Sequence, residues 1–109
     1  MKTYTAPDLA AWVAEIAYTA GKCHGPDADL MRPVAASAAG LAAERIAAGG
    51  PFEDDPGRAH EGRDALVEDA AFAAGLGVRE ADTAVRLVGA FGHVLHAPAL
   101  RGLSDADVP

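Results

Sequence analysis

Apolar residues recur along the chain in four stretches at the 3, 4, 7 spacing of a buried helical stripe, with turn-forming residues between them. The first stretch carries Leu9, Trp12, Val13, Ile16 and Ala20 on one side. Pro7 and Asp8 suit a first turn after Thr5 and Gly21 supplies a stop, so a helix is predicted over residues 7–20. Lys22 to Pro33 contains Gly25-Pro26 and Pro33 and reads as a connector, with room for a helical turn at Asp27 to Met31. The second helix is predicted over 33–48, with Val34, Ala38, Leu41, Ala42 and Arg45 along one side, Ile46 on its margin, and Gly49-Gly50-Pro51 as its end.

Residues 51–57 read as a solvated acidic loop around Glu53, Asp54 and Asp55. Asp55-Pro56 can serve as N-cap and first helical position of a helix over 58–74, although Gly57 and Gly62 weaken its start by about 1 kcal/mol each relative to Ala. Its regular part begins at His60 and carries Leu66, Val67, Ala70 and Ala73, and Gly75 or Gly77 closes it. The fourth helix is predicted over 79–96, with Glu80 and Asp82 at its positive end and Ala81, Ala84, Val85, Val88, Phe91 and Leu95 facing inward. Pro98 is expected to stop it, leaving a tail over 97–109 in which Leu100 and Leu103 can pack back. The pattern predicts an all-α fold, a compact bundle of about four helices in a single small domain spanning 1–109.

Composition sharpens that picture. Of 109 residues 27 are alanine, the strongest helix former and a residue depleted from strands. A chain this long buries roughly two thirds of its unfolded surface and needs no metal or disulfide to hold a core. No apolar run approaches the ~18 residues of a membrane span, and the first residues lack the basic and apolar regions of a signal peptide, so no membrane partner and a cytoplasmic location are expected. Cys23 stands alone, which removes internal disulfides and CxxC chemistry. Nine Lys+Arg against 16 Asp+Glu set the net charge at −7, opposing the basic field that nucleic-acid binding draws on. Seven Arg against two Lys, with abundant Ala and Gly, points to a GC-rich bacterial or phage genome.

Candidate chemistry is sparse. His93 and His96, three apart on the fourth helix, can converge on a metal with His60, Glu61 or Glu44, but no Glu-x-x-His motif supports a two-metal bundle, and a last-turn histidine ordinarily caps. Cys23-His24 lies between Gly and Pro without a third orienting group, and Ser37 and Ser104 lack a nucleophile elbow. No phosphate-binding glycine motif occurs, so neither a cofactor nor a catalytic residue is expected and the chain reads as a non-enzyme. Glu53, Asp54 and Asp55 lack the ligand spacing of a calcium loop. Trp12 is expected in the core, and Glu61 with Arg63, and Arg79 with Asp82, as surface charges. Residues 71–86 fit the first half and turn of a helix-turn-helix. They fail the second half, where Thr83 takes the place of the buried aliphatic and Glu80 and Asp82 dilute Arg79 and Arg86.

Ala35 to Gly50 and Arg63 to Val88 resemble the small helical module at the C-terminal end of actinobacterial and phage primase-polymerase proteins. The resemblance rests on Ala47-Ala48-Gly49, Leu66 with Ala70-Ala71, Gly75-Leu76, and Glu80-Ala81 with Val85, and covers roughly half the chain. Leu87-Val88 replaces the Ser-Gly of the family pattern, and the catalytic polymerase part has no counterpart here. The resemblance implies an accessory domain of a replication or mobile-element system.

The expected function is therefore that of a small acidic adaptor that binds a protein partner, and can self-associate, in phage, plasmid or actinobacterial replication or host interference. Glu53, Asp54, Asp55, Arg79 and Arg86 are the candidate partner-binding residues, with Asp105 and Asp107 extending an acidic footprint. A metal-binding helical protein using His93 and His96 is the first alternative. A nucleic-acid-binding module using Arg79, Arg86 and Arg45 is the second.

Overall fold

A computed structural model describes residues 3–104, with side chains over 3–91. The chain forms helices α1 (Ala6–Lys22), α2 (Pro26–Ala48), α3 (Gly62–Ala73) and α4 (Val78–Ser104). A two-residue ladder, β1 (Thr3–Tyr4) against β2 (Phe52–Glu53), is antiparallel with Thr3 opposite Glu53 and Tyr4 opposite Phe52. The fold is thus the expected all-α bundle of four helices. Each helix packs on its neighbours in sequence and α4 returns to α1, while the diagonal pairs meet sparingly.

Local chemistry accounts for the helix ends. The Thr5 N–H donates to Asp8 Oδ2 at 2.9 Å, satisfying the backbone at the entry to α1. At the far end of α3, Gly75 takes φ 83°, its N–H reaches the Phe72 carbonyl at 2.9 Å, and the Leu76 N–H reaches the Ala71 carbonyl at 3.0 Å. This is a Schellman stop, closed by Gly75 rather than Gly77. The Gly77 N–H donates to Glu80 Oε1 at 2.8 Å, so Glu80 serves the start of α4 as its position suggests.

α1 runs through the expected Gly21 stop to Lys22, and three other boundaries differ from the sequence expectation by more than two residues. α2 begins at Pro26, so most of the expected connector is helix and Pro33 lies inside it. Burial of Ala28, Met31, Val34, Ala38 and Ala42 runs along one stripe through the proline and offsets the roughly 3 kcal/mol that an interior proline costs. Pro33 itself is exposed, which lets water reach the carbonyl its missing N–H leaves unbonded. α3 begins at Gly62, and residues 58–61 are irregular because Arg58 and His60 turn toward α3. α4 continues past Pro98 to Ser104, taking up residues 97–104 of the expected tail.

The core draws on all four helices. Leu9, Ile16, Met31, Val34, Leu66, Val67 and Val88 are fully buried, and Ala38, Ala70, Ala71 and Ala84 fill the space between closely approaching helices. Ala73 is exposed, its expected place taken by Ala65 and Ala71, and Phe91 is 37% exposed rather than inward. Thr19 is buried with its hydroxyl donating to the Glu15 carbonyl at 2.9 Å.

Candidate functional site

The polar features of the molecule converge on the segment from Phe52 to Gly62. β2 holds its start against β1, and α3 begins at its end. Gly62 has φ 58°, a conformation that favours glycine, and a Cβ there would lie 3.4 Å from Trp12 Cζ2. That distance is ordinary van der Waals contact, so the positive φ rather than lack of space is what calls for glycine here. The Gly62 N–H donates to Asp54 Oδ2 at 2.7 Å, so Asp54 caps α3 from eight residues away.

Behind this segment lies an ion-pair network. Asp69 on α3 accepts from Arg45 Nη2 of α2 at 2.8 Å and from Arg58 Nη1 at 3.1 Å. Arg58 also bonds Glu68, and His60 Nε2 lies 3.9 Å from Glu68 Oε2. Burial pushes the Asp69 carboxyl up, but the hydrogen bonds and charges of Arg58 and Arg45 outweigh it and hold the group below the usual carboxylate range. The bond to Asp69 holds Arg58 above even its ordinary high value. A second pair crosses the bundle: Arg63 Nη1 on α3 lies 3.0 Å from Glu15 Oε1 on α1. Arg63 is therefore a bracing residue between helices, and its sequence neighbour Glu61 is not its partner.

Tyr4 stacks on Phe52 (5.6 Å, 27°) and meets Trp12 at a tilt (4.9 Å, 58°). Burial raises the Tyr4 phenol above its ordinary value, with Arg45 pulling the other way. Three adjoining clefts open around the same segment and all include Asp54. One of about 310 Å³ lies along Asp54 to Glu61, one of about 270 Å³ over Arg45, Arg58 and Asp69, and one of about 280 Å³ between Tyr4, Trp12, Asp8 and Glu61.

Charge on this face is unbalanced by the way the cations are used. Arg45, Arg58 and Arg63 each point into a pair with Asp69, Glu68 or Glu15. Among the described residues no cation pairs with Asp8, Glu53, Asp54, Asp55 or Glu61.

The predicted partner-binding residues fall into two groups. Glu53 and Asp55 are exposed beside the clefts, whereas Asp54 is half-buried and engaged with Gly62, so the acidic run is not uniformly solvated. Arg79 and Arg86 are exposed on α4, where Thr83 Oγ1 donates to the Arg79 carbonyl at 3.0 Å and accepts from Arg86 at 3.5 Å. None of the three clefts includes Arg79 or Arg86. The side chains of His93 and His96, and all of Asp105 and Asp107, lie outside the described residues. Glu44 is exposed on α2, and no three described His, Cys, Asp or Glu side chains form a group able to hold a metal. Cys23 is buried, and that burial, aided by Asp27, pushes its thiol up, away from the reactive thiolate. No described helix is long and apolar enough to cross a membrane.

Sequence reasoning passed over Glu15, Arg58 and Asp69. Their only signal was three charged residues on otherwise inward-facing or loop positions. Comparison with family models, curated proteins and solved structures returns no match for this chain.

Proposed function

We propose that the protein is a small non-enzymatic helical adaptor whose face around Phe52 to Gly62 docks a basic surface of a protein partner. The observation that carries this reading is the asymmetry of charge: Arg45, Arg58 and Arg63 are spent on internal pairs, while Asp8, Glu53, Asp55 and Glu61 are exposed without cationic partners among the described residues. Complementary potentials of this kind steer association and select partners. The similarity of residues 35–50 and 63–88 to the primase-polymerase helical module supports a replication or mobile-element setting, in which nucleic-acid-binding surfaces are basic and an acidic face can cover them. The same charge disfavours phosphate backbones as direct ligands.

The test uses gel filtration with light scattering and partner capture from the source cell, comparing the native chain with a variant carrying Glu53→Lys, Asp55→Lys and Glu61→Lys. A captured basic protein that the triple variant fails to retain, and that raised salt releases, supports the reading. A strict monomer with no partner, or a partner held equally by the triple variant, overturns it.

A further inference from the structure

We propose that the cleft between β1, α1 and the start of α3 seats an arginine side chain from a basic segment of the partner, its guanidinium stacked on Trp12 and bonded to carboxylates at the rim. The inference rests on the docking face proposed above and names the pocket in which that face makes its specific contact.

The cleft has a volume of about 280 Å³, with Tyr4 and Trp12 as an aromatic wall and Asp8, Asp54 and Glu61 around its mouth. The two rings stand 4.9 Å apart at 58°, and Phe52 backs Tyr4, so the wall is braced from behind. Gly62 lines the cleft beside the indole edge. A held aromatic face beside carboxylates attracts a cation through both ring quadrupole and charge.

An anion is disfavoured by the same geometry. At each of the two helix starts beside the cleft a carboxylate already sits on a backbone donor, Asp54 on Gly62 N–H and Asp8 on Thr5 N–H, so negative charge occupies the place an anion would take. Each of those carboxylates uses Oδ2 for its backbone bond, leaving Oδ1 for a ligand. Glu61 is exposed at the rim. Arginine suits this arrangement better than lysine, because a planar guanidinium stacks on an indole while its edge donates to carboxylate oxygens.

Trp12 is the single tryptophan of the chain, so all tryptophan emission comes from a residue lining this cleft. The probe is a capped hexa-arginine peptide, titrated against the full chain by Trp12 fluorescence and by calorimetry, with capped hexa-lysine and inorganic phosphate as comparisons. The expected result is a saturable change in Trp12 emission with hexa-arginine, about two- to fivefold tighter than hexa-lysine, and none with phosphate. Glu61→Gln, an exposed change checked for folding by circular dichroism, should weaken binding about two- to fivefold. Calorimetric binding without a Trp12 response, or unaffected by Glu61→Gln, overturns the arginine cleft while leaving the acidic docking face standing. Absence of any calorimetric binding overturns both. A Trp12 emission change driven by the protein's own concentration, with dimers seen by light scattering, overturns the inference by making a second copy the occupant.

Discussion

Replacing Asp69 by Asn tests how the Phe52–Gly62 segment is held. Asp69 is the anion through which Arg45 of α2 and Arg58 of the loop are both tied to α3, with N–O distances of 2.8 to 3.1 Å. Asn keeps the shape but removes the charge and places amide hydrogens against two guanidinium groups. Exposed ion pairs contribute about 0–1 kcal/mol, and removing one partner of a fully buried pair costs about 3–5. Side-chain exposures of 27% for Asp69, 30% for Arg45 and 20% for Arg58 lie between these limits, and Glu68 still holds Arg58. The expected loss is about 2 kcal/mol, or roughly 10 °C in Tm for a chain of this size.

The pH dependence has a definite sign. The folded Asp69 carboxyl is held below its ordinary value, so between the two values the unfolded chain binds more protons and stability rises with pH. The contribution of Asp69 is complete above the unfolded value of about 3.9 and disappears as pH falls through the folded one. Urea unfolding of the native chain and Asp69→Asn at pH 7 and through the acid range reads both effects, with Arg32→Ala at the exposed Arg32–Asp29 pair as the control. A gap at pH 7 no larger than that of the control, or one that widens as acid is added, would refute the reasoning.

Other predictions follow from single contacts. Arg63→Met leaves Glu15 buried against α3 without its cation and should cost about 1–3 kcal/mol by denaturant melts, part of it recovered by adding Glu15→Gln. Pro33→Ala restores a backbone donor inside α2 at an exposed site and should raise Tm, with a gain of up to about 2 kcal/mol once the greater freedom of the unfolded chain is counted. Gly62→Ala forces a Cβ into a positive-φ site beside Trp12 and should lower stability by about 1–2 kcal/mol while altering Trp12 emission. Leu66→Ala, at a fully buried position of α3, should cost about 2–5 kcal/mol in the same melts.

Much of the bundle is legible along the chain because its determinants are close in sequence. The α1 stripe of Leu9 and Ile16, the Thr5–Asp8 entry, the Gly75 stop and the Glu80 start depend on residues within one or two helical turns of each other. The start of α2 is misread for the same reason: Gly25-Pro26 and Pro33 are local breakers, and only packing of Ala28 and Met31 against the rest of the core keeps the helix running through them.

The acidic run at 53–55 is visible as composition, but its parts are not interchangeable. Asp54 becomes a helix cap only because the loop returns to Gly62, and Glu53 pairs with Thr3 only because the chain start crosses β2. A ladder of two residues has too few positions to show an alternating pattern.

Amino-acid order alone thus dictates four helices, the Gly75 turn between the last two and most of the residues that fill the core, because helix propensity, capping and stripe periodicity act over a few residues. Tertiary structure decides which charges face solvent. Glu15 meets Arg63 across 48 positions and Asp69 meets Arg45 across 24, so these arginines are paired while Asp8, Glu53, Asp55 and Glu61 have no cationic partner among the described residues. The charge of −7 is sorted into paired and unpaired groups only when the helices pack, since an ion pair needs its two groups within about 4 Å whatever their separation along the chain.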